Sequence, residues 1–546
     1  MAIVVDLPQL SGLVLKPGDT VLLKDGSYAN QSINLSCNGS AAARITVKAQ
    51  NPGKVILTGT SSLNISGSYT TVANLVFKDG GANKCINVLG NNNRLTGCDV
   101  AYSACDVDFL VRIQNRNNRV DHCVFHDFNK MGVWVVVWRP DASENYAMID
   151  HNVFRNRINS SGAANGLESV RIGASDQSLS SSKSIIAWNL LENCNGEIEA
   201  ISNKSCDNIY HRNTYSNCEG TLTLRHGDRC IVNRNKFLQN KKPNSGGVRV
   251  TGESHLISQN LFKDINGNGT TRAGVSVNNG MVDTPINGYY TPKSCRVTGN
   301  TFVNCSDDFA IGVQVKPTCT IKPEGLEVSG NTVYKATTDE VFSSDSSVLG
   351  VTSATFSNNS FYATKLGKAP VGGCTLLQPS LFLGVNEAEY GVNEPIGPTW
   401  GQVEPEMSEL PTTVEEYYAA LKADILSGVK AAEVPTAPPA PPVVEPPPAP
   451  PAVEPPVAPP AVEPPSATPT YASVIEALNV LIKTPTKDTT VLTQVLADLQ
   501  ALIALFPKSA KDLKTVSDSI KSAITKPGTA SATKLVQKSV DKLKTL

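Results

Sequence analysis

Charge is scarce in this sequence and balanced. Only 18% of its 546 residues are Asp, Glu, Lys or Arg, and the net charge is -1 with a pI of about 6.6. That balance excludes binding to nucleic acid or an anionic membrane through bulk electrostatics, so a polyanionic ligand has to meet a local patch. The N-terminal stretch MAIVVDLPQLSGLVL is apolar but lacks a basic leading region and carries Asp6 and Pro8. Neither a signal peptide nor membrane insertion is expected from it. Helical periodicity is almost absent up to about Gly384, and the 13 cysteines, an odd number ending at Cys374, form no compact disulfide framework. Reduced, buried thiols are the expectation.

What is present is a repeat. The motif Asn-x-(apolar or aromatic) recurs at Asn152, Asn189, Asn213, Asn235, Asn260, Asn300, Asn331 and Asn359, with intervals of 24, 22 and 25 residues between Asn189 and Asn260. Short β-branched runs and Gly/Asn/Asp turns fill the intervals, the signature of a β-solenoid in which each repeat is one coil. The fold class predicted is all-β, a right-handed parallel β-helix. Cys194, Cys206, Cys218 and Cys230, twelve residues apart, are expected to stack in pairs, Cys194 on Cys218 and Cys206 on Cys230. The longer intervals after Asn152 and Asn260 predict insertions that wall a cleft.

The pattern ends after about Gly384. Residues 391–433 read as an extension whose segment TTVEEYYAALKADILSGVKAAE is an amphipathic helix N-capped by Thr412 or Thr413. Residues 434–470 contain three nine-residue repeats, PPVVEPPPA, PPAVEPPVA and PPAVEPPSA. They predict a semi-rigid polyproline spacer of roughly 100 Å. Residues 471–546 are rich in Ala, Leu and Lys and read as a small helical bundle that binds a protein partner or self-associates. The β-helix itself is assigned to residues 1–390.

Chemistry concentrates between Asn193 and Gly227. Strand alternation puts Ile198 and Ala200 of EIEA inside, so Glu197 and Glu199 project outward together. The same rule turns Arg225, Arg249 and Arg171 outward, and the 24-residue step from Arg225 to Arg249 is taken as about one coil. Two same-face carboxylates repel unless a cation lies between them, which makes the pair a candidate Ca²⁺ site. With Lys204 and the arginines beside it, the face suits an anionic sugar polymer whose C5 proton is acidic once its carboxylate is neutralised.

NGEIEAISNKS followed by LRHG, with NGLESVRIG before and GGVRVTGESHLISQN after, resembles polysaccharide lyase family 6, which contains alginate lyases and chondroitinase B. PGDTVLLKDGSY and YYTPKSCRVTGNTFVNC extend the resemblance over most of residues 1–385. The resemblance implies Ca²⁺-assisted β-elimination on a uronic-acid polysaccharide. By motif, Asn165, Glu197 and Glu199 would hold the ion and Lys204 would be the base. Arg225 would stabilise or protonate the departing oxygen, with His226 beside it. Arg249, Arg171, Glu168 and His255 would line substrate subsites. Guanidinium holds its proton above about pH 12, so electrostatic stabilisation by Arg225 is expected, with His226 or water moving the proton. Such lyases are typically secreted; the unheralded N-terminus and the added tail suit a protein released otherwise, such as a virion component. The alternative is a non-catalytic glycan-binding β-helix. Hydrolysis is disfavoured because no outward Asp pair lies near the arginines.

Overall fold

From Ile3 to Leu377, short strands visit three sheets in turn, coil after coil. We call these sheets A, B and C; they hold 14, 14 and 11 strands, and every strand pair within them is parallel. This is the parallel β-helix the repeat predicts. The computed structural model describes residues 2–433 except 81–84, 103–107, 159–164, 337–339, 343–353, 368–371, 394–395, 399 and 401–412; beyond 433 it describes only 515–516, 518–519 and 538–539. The expected spacer and most of the expected helical bundle lie outside the described residues. The chain divides into two units, Met1–Ala440 and Pro441–Leu546. Among the described residues no helix is long and apolar enough to cross a membrane.

The asparagines form one ladder. At each A-to-B turn a residue in the left-handed region, such as His151, Trp188, Arg212, Arg234 or Gln259, immediately precedes a ladder Asn. The Asn235 amide donates to Asn260 Oδ1 and to the Tyr210 carbonyl, while its Oδ1 accepts from the backbone and side chain of Asn213. The same pattern runs from Asn152 to Asn359. A buried turn has backbone groups that water cannot reach, and the stacked amides satisfy them. Aromatic residues two positions on stack inside the coil, with Tyr215, Phe237, Phe262 and Phe302 at centroid spacings of 4.4, 4.9 and 4.8 Å. These stacks and the inward aliphatic rows form a continuous core.

All described cysteines are free. Cys194 stacks against Cys218, whose sulfur accepts the Cys194 N–H at 3.5 Å. Cys206 and Cys230 do not stack. Ile209 pairs with Ile231, a 22-residue step that sets Cys206 beside Asp228 and Cys230 between Asn208 and His255. A fixed spacing of twelve misplaces them because coil length varies.

Beyond the last coil the chain turns back. Glu387 pairs with Lys263 at 2.7 Å, the Gly391 N–H donates to the Arg234 carbonyl, Gly397 reaches His151 and Trp400 reaches Gly97. This strap descends the solenoid. Helix Val414–Glu433 then climbs it, opened by a reciprocal cap between Thr413 and Glu416. Its Val414, Tyr418, Leu421, Ile425 and Val429 cover the apolar outer row Met148, Ile185, Ile209, Ile231 and Leu256 of sheet A. The helix thus covers this apolar row of sheet A, and sheet C keeps its polar outer face.

Candidate active site

On sheet C, Val170, Ile201, Leu222, Val248 and Val275 align inward, and the next residues, Arg171, Ser202, Thr223, Arg249 and Ser276, align outward. Neighbouring coils are about 4.8 Å apart, so Arg171 and Arg249 lie on one row three coils apart. The expected stacking of Arg249 on Arg225 does not occur. A register break after Asn203 pairs Lys204 with His226 and leaves Arg225 bulged out of the ladder, two residues beyond the row of Arg249.

A second break departs from strict alternation in EIEA. The strand starts at Glu199, which pairs with Thr221, while Ile201 pairs with Leu222. This bulge puts both Ala200 and Ile201 in the core and leaves Ile198 outside it. Glu197 therefore sits before the strand, and both glutamates are nearly buried, at 8% exposure.

The acids are held unevenly. Glu199 accepts a hydrogen bond from Ser202 Oγ at 2.5 Å and lies 3.8 Å from Arg225 Nε. Both carboxylate oxygens of Glu197 are buried without a hydrogen-bond partner, as is Glu168 Oε2. Burial, followed by the charges of Glu168 and Glu199, pushes the Glu197 carboxyl up to about 9. Orphaned, mutually repelling carboxylate oxygens are what a hard cation relieves. Among the described residues, three or more His, Cys, Asp or Glu do not converge into a metal cluster. An ion here would therefore rest on Glu197 and Glu199 with a neutral donor such as Asn165, and the donor chemistry fits.

Asn165, Arg171 and Lys204 line one open cleft of about 640 Å³ together with Asp108, Met131 and Trp138. Glu168, expected in a subsite, is buried beneath it with Oε1 4.0 Å from Arg171 Nη1. Arg225 and Arg249 lie outside this cleft's lining, under the insertion between Asn278 and Lys293. Arg225 donates to the carbonyls of Gly288 and Asn287, at 2.9 and 3.1 Å, and to His226 Nε2 at 2.8 Å. The ring of Tyr289 covers its guanidinium at 4.0 Å. Arg249 is buried and donates to Asn278 Oδ1 at 3.1 Å.

His226 is buried, with Nε2 accepting from Arg225 and Nδ1 3.5 Å from Ser175 Oγ. Burial and the charge of Arg225 push it down to about 3. It is neutral at neutral pH and holds the Arg225 guanidinium in place. His255 does not reach the cleft. Its Nδ1 accepts the Cys230 N–H, its Nε2 donates to the Thr251 carbonyl and burial lowers its pKa, so it is a turn residue of the coil wall. Ser202, Ser175, Trp138 and Met131 were invisible as site residues in the sequence, where nothing separates them from other strand and loop positions.

The buried histidines predict acid sensitivity. His211, like His226, is driven down to about 3 by burial and then by a neighbouring arginine, from an ordinary value of 6.5. The unfolded chain binds more protons across that window, so stability falls as pH drops from about 6.5 towards about 3. Melting temperature measured between about pH 7 and about pH 4 should decline, and His211→Asn should flatten the decline.

The fold is a parallel β-helix whose sheet C carries Lys204 and a set of arginines over buried carboxylates. Residues 12–377 match the chondroitinase B family, and the chain belongs to that family. Its fold is similar to the PL6 family alginate lyase AlyGC, at 27% identity and a TM-score of 0.66, covering 76% of this chain and 59% of that one. This chain thus matches less than two thirds of AlyGC's length. A mannuronic acid specific family 6 lyase from human gut microbiota is 25% identical with a TM-score of 0.63, covering 78% of this chain and 99% of that one. A family 6 lyase from Pseudopedobacter saltans, at 22% identity and TM-score 0.58 over 73% of this chain and 98% of that one, shares the fold. No curated protein matches the sequence.

Proposed function

We propose that this protein cleaves a uronic-acid polysaccharide of the alginate type by β-elimination. The observation carrying the reading is Lys204 in the open cleft, paired across the sheet with His226, which holds Arg225, and close enough to the orphaned Glu197 for its charge to act there. Alginate is favoured because AlyGC is an alginate lyase and the gut relative is mannuronic acid specific.

Lys204 Nζ takes the C5 proton; among the described residues lining the cleft it alone carries a basic nitrogen that can be freed of its proton. Arg171 on the cleft wall meets a substrate carboxylate, and Trp138 offers an apolar face to a sugar ring. Arg225, fixed by His226 and two loop carbonyls, supplies a permanent positive charge where negative charge develops on the departing oxygen. A Ca²⁺ ion held by Glu197, Glu199 and Asn165 would neutralise the uronate carboxylate and so acidify C5–H.

The test is ultraviolet absorbance during incubation with alginate, polymannuronate, polyguluronate and dermatan sulfate. A rise from the unsaturated uronate establishes elimination and names the substrate. Binding without any rise overturns the lyase reading and leaves a glycan-binding module.

A further inference from the structure

The middle outward row of sheet C runs from Asn34 to Ala310 without an acidic residue. It carries three arginines, and they are held differently. Arg249 donates to Asn278, and Arg171 lies 4.0 Å from Glu168. Arg112, on strand Phe109–Ile113, makes no hydrogen bond or ion pair among the described residues, and its Nε is buried without an acceptor. Burial lowers its guanidinium from the ordinary value of 12.5, with no carboxylate near enough to raise it again. It stays charged all the same.

Arg112 stands at one end of the cleft that holds Lys204. It pairs through Val136 with Arg171, which lines that cleft, so the two arginines are two coils, roughly 9.6 Å, apart along the row. Its guanidinium carbon is 5.7 Å from the centroid of the Phe109 ring, and that ring is 6.1 Å from Trp138, another residue of the cleft lining. Val136, between the arginines, is buried and brings no charge. On the far side the row continues into stacked amides, the Asn87 side chain donating to Asn64 Oδ1 at 2.8 Å. A partly exposed guanidinium without a partner has lost hydration that a bound anion would offset, and its planar fork matches a carboxylate.

Resting on the lyase reading above, we propose that Arg112 binds a second carboxylate of the polymer, two coils from the one met by Arg171. A polyuronate carries one carboxylate on every sugar, so a chain lying along the row brings one to each arginine. The absence of acids from the row leaves nothing on it to repel that chain. Arg112 is three coils from the strand of Lys204 and stands apart from the reacting atoms. Its effect is therefore on chain length and charge: long anionic chains are held better than short ones, and a neutral glycan gains nothing from it.

The test compares the full chain with Arg112→Gln and Arg112→Lys on the uronan that the wild type cleaves, as polymer and as oligomers of increasing length. On the polymer, Arg112→Gln should raise KM about tenfold while kcat changes less than about twofold, and Arg112→Lys should recover part of the loss. The ratio of KM values should be near one for the shortest oligomer cleaved and reach full size only on longer ones. Arg112→Gln should melt at or above the wild-type temperature, since no protein partner is lost. An unchanged polymer KM, the same rise at every length, or a clear drop in melting temperature overturns the assignment and leaves the lyase reading in place. If the wild-type chain forms no unsaturated product on any uronan, the lyase reading falls, and calorimetric binding of alginate decides on Arg112. Binding about tenfold weaker in Arg112→Gln then retains the site. Equal binding, or none by either chain, overturns it.

Discussion

Replacing Lys204 with alanine is expected to lower the rate of unsaturated-product formation by about 10³-fold while leaving oligouronate binding and melting temperature near wild type. The size of the effect follows from the lack of a substitute. Arg171, Arg225 and Arg249 are fixed cations, and the only nearby imidazole is neutral but has both nitrogens engaged. Glu168 is buried under the cleft, and Glu197 stands among like charges. Stability should survive because Lys204 is partly exposed and, among the described residues, its side chain makes no ion pair. Absorbance assays, calorimetric binding and thermal melts on the same preparation decide it. A variant retaining a tenth or more of the wild-type rate removes Lys204 from the role of base.

The second large effect is expected from calcium and Glu197 together. Adding Ca²⁺ should raise the melting temperature of the wild-type protein, since binding to the folded state alone stabilises by about 2.7 kcal/mol at a hundredfold excess over Kd. Chelation should lower product formation at least tenfold. Glu197→Gln should erase the calcium-dependent rise. It should also melt at or above the calcium-free wild type, because it removes one of three buried carboxylates that repel one another without a counter-ion. The two results belong to one cause. A Glu197→Gln protein that still gains stability from Ca²⁺ would place the ion elsewhere.

The strap and helix bear on where such variants can be read. Glu387, Gly391, Gly397 and Trp400 of the strap and helix Val414–Glu433 lie along the solenoid, with Tyr418 donating to the Asp207 carbonyl at 2.6 Å and Arg116 pairing with Glu415 at 2.7 Å. The outer face of sheet C carries the polar rows and the cleft that holds Lys204. Substitutions under the helix are expected to act through stability.

The sequence by itself determined the coil. The Asn-x-aromatic repeat marks the A-to-B turn, because a left-handed turn residue followed by a stacking amide recurs wherever that corner recurs, and local periodicity records it. The outward placement of Arg171, Arg225 and Arg249 and the inward placement of Val170, Leu222 and Val250 were legible for the same reason, strand alternation. Tertiary structure alone decided what depends on register between coils. The bulge at Glu199–Ile201, the offset of Arg225 from Arg249 and the separation of Cys206 from Cys230 arise because coils differ in length, and only hydrogen bonding to the neighbouring coil fixes which residues face each other. The covering of Arg225 by Tyr289, 64 residues away, and the contact of His226 with Gly288 were settled by an insertion folding back over the sheet, a contact that no local pattern encodes.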